Sequence, residues 1–184
     1  MREASKAAKR RGSDYKYIKG SVLDIGCGPN PVVDLYNNIT FFKGWDLEDG
    51  DAQYLKGVPP GNYDCVHSSH SLEHMVDPLA SLRRWIEVVV SGGYLVITVP
   101  DEEMYEHLTW PSRFNSDHKW SFTTHSSKRL PKSINVFDML RKLRGIEVVS
   151  VTRIEEGWIK HYPQDQTLGD AECCIEIILR KLPK

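Results

Sequence analysis

The stretch Ser21–Tyr36, "SVLDIGCGPNPVVDLY", joins a short apolar run to a glycine-rich turn and then to Pro31, placed where a first helical position tolerates a missing N–H. It predicts strand, loop, helix. Glycines in such a turn leave room for a ligand to touch backbone, and in doubly wound sheets an acidic residue about 20 positions later binds ribose hydroxyls. Gly26, Gly28 and Asp46 fit that arrangement. A dinucleotide site calls for a third glycine where this chain has Pro29, Asn30 and Pro31, which argues against NAD or FAD.

Working outward, "ITFFKGWDLEDGDAQYL" supplies a second strand ending near Asp46, and "YDCVHSSH" a third after the turn residues of "GVPPGN". "DPLASLRRWIEVVV" places Leu79, Leu82, Trp85, Ile86 and Val89 on one helical face. In "SGGYLVITVPD" a glycine pair reads as a helix stop before a strand buried on both faces. "NVFDMLRKLR" predicts a further helix, and "GIEVVSVTRI" and "ECCIEIILRK" two closing strands. Strands alternating with helices indicate a parallel α/β sheet. Between residues 101 and 133 the periodicity fades, and a structureless stretch of that length is usually functional. It is expected to be a substrate-side insertion in a single domain spanning 1–184.

With 184 residues, 40% hydrophobic residues and a net charge of −1, the chain is neither a disordered polymer nor a broadly basic nucleic-acid binder. Cys27, Cys65, Cys173 and Cys174 show no C-x-x-C spacing, so reduced thiols are expected. The opening "MREASKAAKRRG" has no apolar leader, and a cytoplasmic location without a membrane span is the expectation. Its basic residues read as a solvated helix start or a contact for an anionic partner.

The string "VLDIGCGPNP", with Asp46 after the next strand and "GDAQ" beyond it, resembles the class I S-adenosylmethionine-dependent methyltransferases. "YDCVHSSHSLEHMVDPLASLRRWIEVVVSGGYLVITVP" is similar to their fourth strand, helix and fifth strand. The resemblance implies a Rossmann-like α/β sheet, mostly parallel with an antiparallel C-terminal strand. It also implies cofactor contacts from Asp24, the Gly26, Cys27 and Gly28 turn, Asp46, Leu47, Asp51, Ala52 and Ser68. Only 17 residues separate Asp46 from Asp64, so the sheet should be abbreviated after its second strand.

"HSSHSLEHM", His67–Met75, contains a literal H-x-x-E-H at His70–His74. One reading is a zinc peptidase, with two histidines a helical turn apart and a glutamate beside the metal-bound water. A second follows from the sheet: ligands bind beyond the carboxyl ends of strands, which puts His70 near the methyl group as a general base, with His118 as a further catalytic candidate. A third follows from similarity to the ubiquinone-pathway O-methyltransferases, whose E-x-x-E-H motif is matched by His70, Glu73 and His74 with His70 in place of the first Glu. That similarity implies a divalent metal on these three residues.

Neither the N/D/S-P-P-Y/F motif of DNA amino-methyltransferases nor the Pro-Cys of cytosine enzymes occurs at "HSSHS". Asp101, Glu102, His107, Arg113, Asn115, Asp117, His118, Trp120 and Phe122 are expected to line an acceptor pocket, with His161 and Gln166 from a later loop. Aromatic faces mixed with hydrogen-bonding heads suit a carbohydrate or other small acceptor, methylated on oxygen. The competing reading is a cofactor-binding but catalytically silent partner subunit.

Overall fold

The computed structural model describes residues 3–183. In chain order these form α1 (Glu3–Arg11), β1 (Gly20–Ile25), β2 (Ile39–Trp45), β3 (Tyr63–Ser69), α2 (Pro78–Val88), β4 (Val89–Pro100), β5 (Ser121–Thr123), β6 (Ser133–Asn135), α3 (Val136–Leu140), β7 (Ile146–Ile154) and β8 (Cys174–Lys181). One sheet has the order β2–β1–β3–β4–β8–β7, and β5 pairs separately with β6. β1, β2, β3 and β4 run parallel, while β8 is inserted antiparallel between β4 and β7. This is the Rossmann-like sheet with an antiparallel C-terminal strand that the sequence implies.

The central strands read as continuous apolar runs because both faces are covered: Val22, Leu23, Ile25, Val66 and Leu95–Ile97 are buried. α2 supplies one cover. Asp77 caps it through Oδ1, which accepts from the Ala80 N–H at 3.0 Å, and Pro78 occupies the first turn. Its buried face carries Leu82, Trp85 and Ile86, each side chain contributing about 1.5–3 kcal/mol through burial. Residues 47–62 hold a short 3-10 turn, Leu47–Asp49, and irregular turns, so β2 is left as the sheet edge. The abbreviation expected from the short spacing is located there.

Three local expectations are corrected. The segment after the glycine turn is a single 3-10 turn, Val32–Asp34, with Pro31 preceding it at ψ 145°, so the chain leaves the turn extended and does not build a full helix. Gly92 and Gly93 do not stop α2, which ends at Val88; they form an irregularity inside β4, where the register jumps from Tyr63↔Val89 to Cys65↔Tyr94. A Cβ on Gly93 would lie 2.6 Å from the Asp64 carbonyl oxygen, which is why glycine sits there. The solvated basic start fails at Lys6, Arg10 and Arg11, while Lys9 is exposed and Arg2 lies outside the described residues. Arg10 donates to Glu172 at 2.9 Å and to Glu176 at 2.9 Å, Arg11 pairs with Glu176, and Lys6 Nζ donates to the Ala171 carbonyl at 3.0 Å. α1 is thereby bound to β8 and to the loop before it. No helix of the described residues is long and apolar enough to cross a membrane.

Candidate active site

The carboxyl ends of β1, β2 and β3 open on one crevice. At the end of β1, Asp24 is buried: Oδ1 lies 2.7 Å from His67 Nδ1, and Oδ2 accepts from the Val32 N–H at 3.0 Å. This carboxylate borders the crevice, but both oxygens are engaged inside the protein, where they hold the exit of the glycine turn. Gly26 has φ +70°, and a Cβ there would lie 1.9 Å from Ser71 Oγ. Gly28 has φ +51°, yet a Cβ would meet nothing within 4 Å, so its backbone faces open space. Asp46 Oδ2 accepts from the Gly28 N–H at 2.9 Å and Oδ1 from the Leu47 N–H at 2.8 Å, tying the second strand's end to the turn.

Two cavities meet over this turn. The larger, about 580 Å³, is walled by Trp45, Asp46, Leu47, Asp51, Ala52, Met75 and Val76. The smaller, about 200 Å³, is walled by Glu3, Asp24, Cys27, Gly28, Asn30 and His67. Gly26 and His70 line both. An elongated molecule with an adenosine at one end and an amino acid at the other fits such a two-lobed space, with apolar and carboxylate walls for the nucleoside and backbone and acidic groups for the amino acid. Of the residues expected to touch the cofactor, Gly26, Cys27, Gly28, Asp24, Asp46, Leu47, Asp51 and Ala52 border these cavities. Ser68 borders neither: it is fully buried in β3, and its neighbours Ser69 and Ser71 take the positions at the wall.

His70 has φ +54°, a conformation that costs a residue with a Cβ about 1–3 kcal/mol, and its N–H donates to the Thr98 carbonyl at 3.0 Å. The kink turns its ring to the junction of the cavities. Nδ1 lies 3.5 Å from Glu73 Oε1 and Nε2 3.8 Å from Glu3 Oε2. Burial opposes a charge on this ring, but Cys174, Glu73 and Glu3 outweigh it and raise its pKa well above the ordinary imidazole value. The peptidase reading is corrected by the backbone: Leu72–His74 is a single 3-10 turn, and His70 precedes it in a left-handed conformation, so the two histidines do not share a helical face.

Residues 117–120 are laced onto that turn. The N–H groups of Lys119 and Trp120 both donate to the Glu73 carbonyl, at 2.9 and 3.2 Å, Lys119 Nζ donates to the His74 carbonyl, and Trp120 Nε1 to the Met75 carbonyl. His118 is thus brought beside Glu73 and His74, and the three present ligand atoms within 4.8 Å of one another. That group shares Glu73 and His74 with the expected metal set of His70, Glu73 and His74 and has His118 as its third member. Burial raises and the surrounding imidazoles of His70, His118 and His74 lower the pKa of Glu73, with a net fall.

Of the other expected acceptor residues, Asp117 lines the larger cavity. His107, Arg113 and His161 line a separate groove of about 310 Å³ with Glu103, Trp158 and Tyr162. Asp101, Glu102 and Phe122 are fully buried, Trp120 packs against the core, and Gln166 holds its own loop through Ile159. The sequence reading missed Glu3, Trp45, Met75, Lys119, Glu106 and Cys174. Only Trp45, an aromatic at the end of the second strand, carried a local signal.

Residues 2–135 match the model of the methyltransferase domain family, and the chain belongs to that family. A comparison with curated proteins gives no match. Among solved structures, a chain of the Haloferax volcanii complex between the Trm112 methyltransferase activator and a methyltransferase superposes with TM-score 0.61 and 15% identity, covering 98% of this chain and 89% of that one. An S-adenosylmethionine-dependent methyltransferase from Listeria monocytogenes gives 0.61 and 16%, covering 98% and 99%. A Thermotoga maritima protein described as a possible histamine N-methyltransferase gives 0.58 and 17%, covering 97% and 88%. At these identities the likeness is one of fold, and the fold is that of the class I methyltransferases.

Proposed function

We propose that the chain methylates an oxygen of a small-molecule or carbohydrate acceptor. The observation that carries this is the meeting of the two cavities at Gly26 and His70, with His74, Asp117 and Lys119 on the outer wall of the larger one. S-adenosylmethionine supplies a methyl group already activated by its sulfonium charge, so the protein's work is alignment and handling of the acceptor's proton. Gly26, Cys27 and Gly28 would hold the amino-acid end by backbone, with Glu3 opposite. Asp46 and Asp51 would take ribose and adenine donors, against the apolar edges of Trp45, Leu47, Ala52 and Met75. His70 stands at the junction and would accept the hydroxyl proton as the acceptor oxygen bonds to the methyl carbon and the methyl–sulfur bond breaks; the Glu73, His74 and His118 group flanks the acceptor's oxygen end. Trp158 and Tyr162 beside His107, Arg113 and Glu103 support a carbohydrate reading, since sugar rings stack on aromatics and hydroxyls need fixed partners.

The test is transfer of a carbon-13 methyl from labelled S-adenosylmethionine into small-molecule and glycan fractions. A methoxyl signal in the product, lost in His70→Ala while S-adenosylhomocysteine still binds by calorimetry, is the expected result. Label on nitrogen, or in protein or nucleic acid, overturns the acceptor assignment; no binding of donor or product overturns the cofactor site.

A further inference from the structure

We propose that Glu73, His74 and His118 bind a divalent first-row transition-metal ion, a site whose third ligand comes from the 101–133 segment. Its use in methyl transfer rests on the reading above; the binding itself does not.

The first observation is a buried carboxylate without a hydrogen bond. Glu73 is 0% exposed, and neither carboxylate oxygen has a hydrogen-bond partner among the described residues. Removing a carboxylate from water without compensation is costly, and buried charges are paired or coordinate metals. The nearest nitrogens, His70 Nδ1 at 3.5 Å and His118 Nε2 at 3.9 Å, are ion-pair contacts that complete no hydrogen bond. The second observation is the way the histidines are held. His118 Nδ1 lies 2.8 Å from Glu106 Oε1, and Glu106 is itself fully buried. His74 Nδ1 lies 2.9 Å from Asp117 Oδ2. Each ring has committed Nδ1 to a carboxylate and leaves Nε2 for another partner, the pattern that fixes metal-ligating histidines. The rings stand edge to face at 5.0 Å, converging on Glu73.

Charge points the same way. Two buried carboxylates, Glu73 and Glu106, face one cluster of imidazoles, and a divalent cation would neutralise both. Two imidazoles and one carboxylate suit manganese, iron, cobalt or zinc better than magnesium or calcium, which favour all-oxygen shells. His74 is the ligand at the cleft wall, with Glu73 and His118 buried behind it. A cation there acts as a Lewis acid at the acceptor end of the cleft, lowering the pKa of an acceptor hydroxyl.

The test uses the full-length protein, stripped by chelation and titrated with Co²⁺ alone, read by calorimetry and by the visible absorption of the bound ion. One Co²⁺ per chain is expected, with no competition from Mg²⁺. Glu73→Gln and His118→Ala should abolish uptake, and partly exposed His74→Ala should weaken it while keeping the wild-type melting curve without metal. Glu106→Gln, acting through the orientation of His118, should weaken it about 10–100-fold. Absence of uptake by the wild type, or uptake unchanged in both Glu73→Gln and His118→Ala, overturns the site. Metal uptake without S-adenosylhomocysteine binding overturns the methyltransferase reading and leaves the site standing; the reverse outcome does the opposite.

Discussion

Two of the buried clusters of charged side chains are finished differently. Between α1 and β8, Glu176 receives Arg10 at 2.9 Å and also Arg11, whose side chain is 1% exposed, while Glu172 takes the remaining Arg10 contacts at 2.9 and 3.3 Å. Beside the crevice, Glu73 has no hydrogen bond, His70 Nε2 has none, and Glu106 Oε2 has none. The first cluster spends its charges on holding the N-terminal helix to the sheet. The second keeps its valences facing inward at the place where a ligand arrives. A closed network reads as structure and an open one as function, because unsatisfied buried groups persist only where something else repays them.

The largest expected effect lies in the closed cluster. Glu176→Ala removes one partner of a buried pair and strands Arg11, which should lower stability by about 3–5 kcal/mol in urea unfolding. It should also loosen Glu3, the residue that α1 carries to the rim of the smaller cavity, and so weaken S-adenosylhomocysteine binding. A loss under about 1 kcal/mol would mean that the Glu176 pairs add little to the docking of α1 beyond Arg10–Glu172, Lys6 and the buried Ala7 and Ala8.

The same cluster sets an acid limit. Burial raises the pKa of Glu176, but the charges and hydrogen bonds of Arg11 and Arg10 outweigh it, and the result lies below the ordinary glutamate value of 4.5. A folded-state pKa depressed in this way gives stability that is present above 4.5 and is lost as pH falls through the folded value. Unfolding midpoints measured from about pH 7 down to about pH 3 should therefore fall at the acid end, with a shallower slope in Glu176→Gln. Identical slopes would assign the acid sensitivity to other carboxylates.

The open cluster should respond to ligand. A metal present at about 100 times its dissociation constant should stabilise the wild type by about 2.7 kcal/mol, since it binds the folded chain. Glu73→Gln should show no such gain, and Arg10→Ala, destabilised at the other cluster, should keep it. Equal stabilisation of the wild type and Glu73→Gln would place the ion elsewhere.

The two clusters also differ in how far the sequence announced them. The sheet was legible because strand and turn chemistry are local: "SVLDIGCG" and "GYLVITVP" carry their own periodicity, and the shortfall between Asp46 and Asp64 foretold the missing outer strand. Glu73 and His74 were legible as a motif for the same reason. Arg10 and Glu176 stand 166 residues apart and His118 is set beside Glu73 by backbone hydrogen bonds from an irregular segment, so no spacing encodes either contact. His70 lines the same crevice as Gly26, as its place after the third strand implied, yet the groups that raise its pKa include Cys174 and Glu3, at opposite ends of the chain.

The smallest effect discriminates most sharply. In the chelated protein, Glu73→Gln replaces a buried carboxylate that makes no hydrogen bond with a neutral group of nearly the same shape. The wild type bears the desolvation of Glu73 and regains part of it from the His70 pair at 3.5 Å; the variant loses both terms together. Stability should change by less than about 1 kcal/mol, in either direction, in urea unfolding without metal. A loss comparable to that of Glu176→Ala would show that Glu73 is already repaid within the folded chain, and the contrast between a closed and an open cluster would fail.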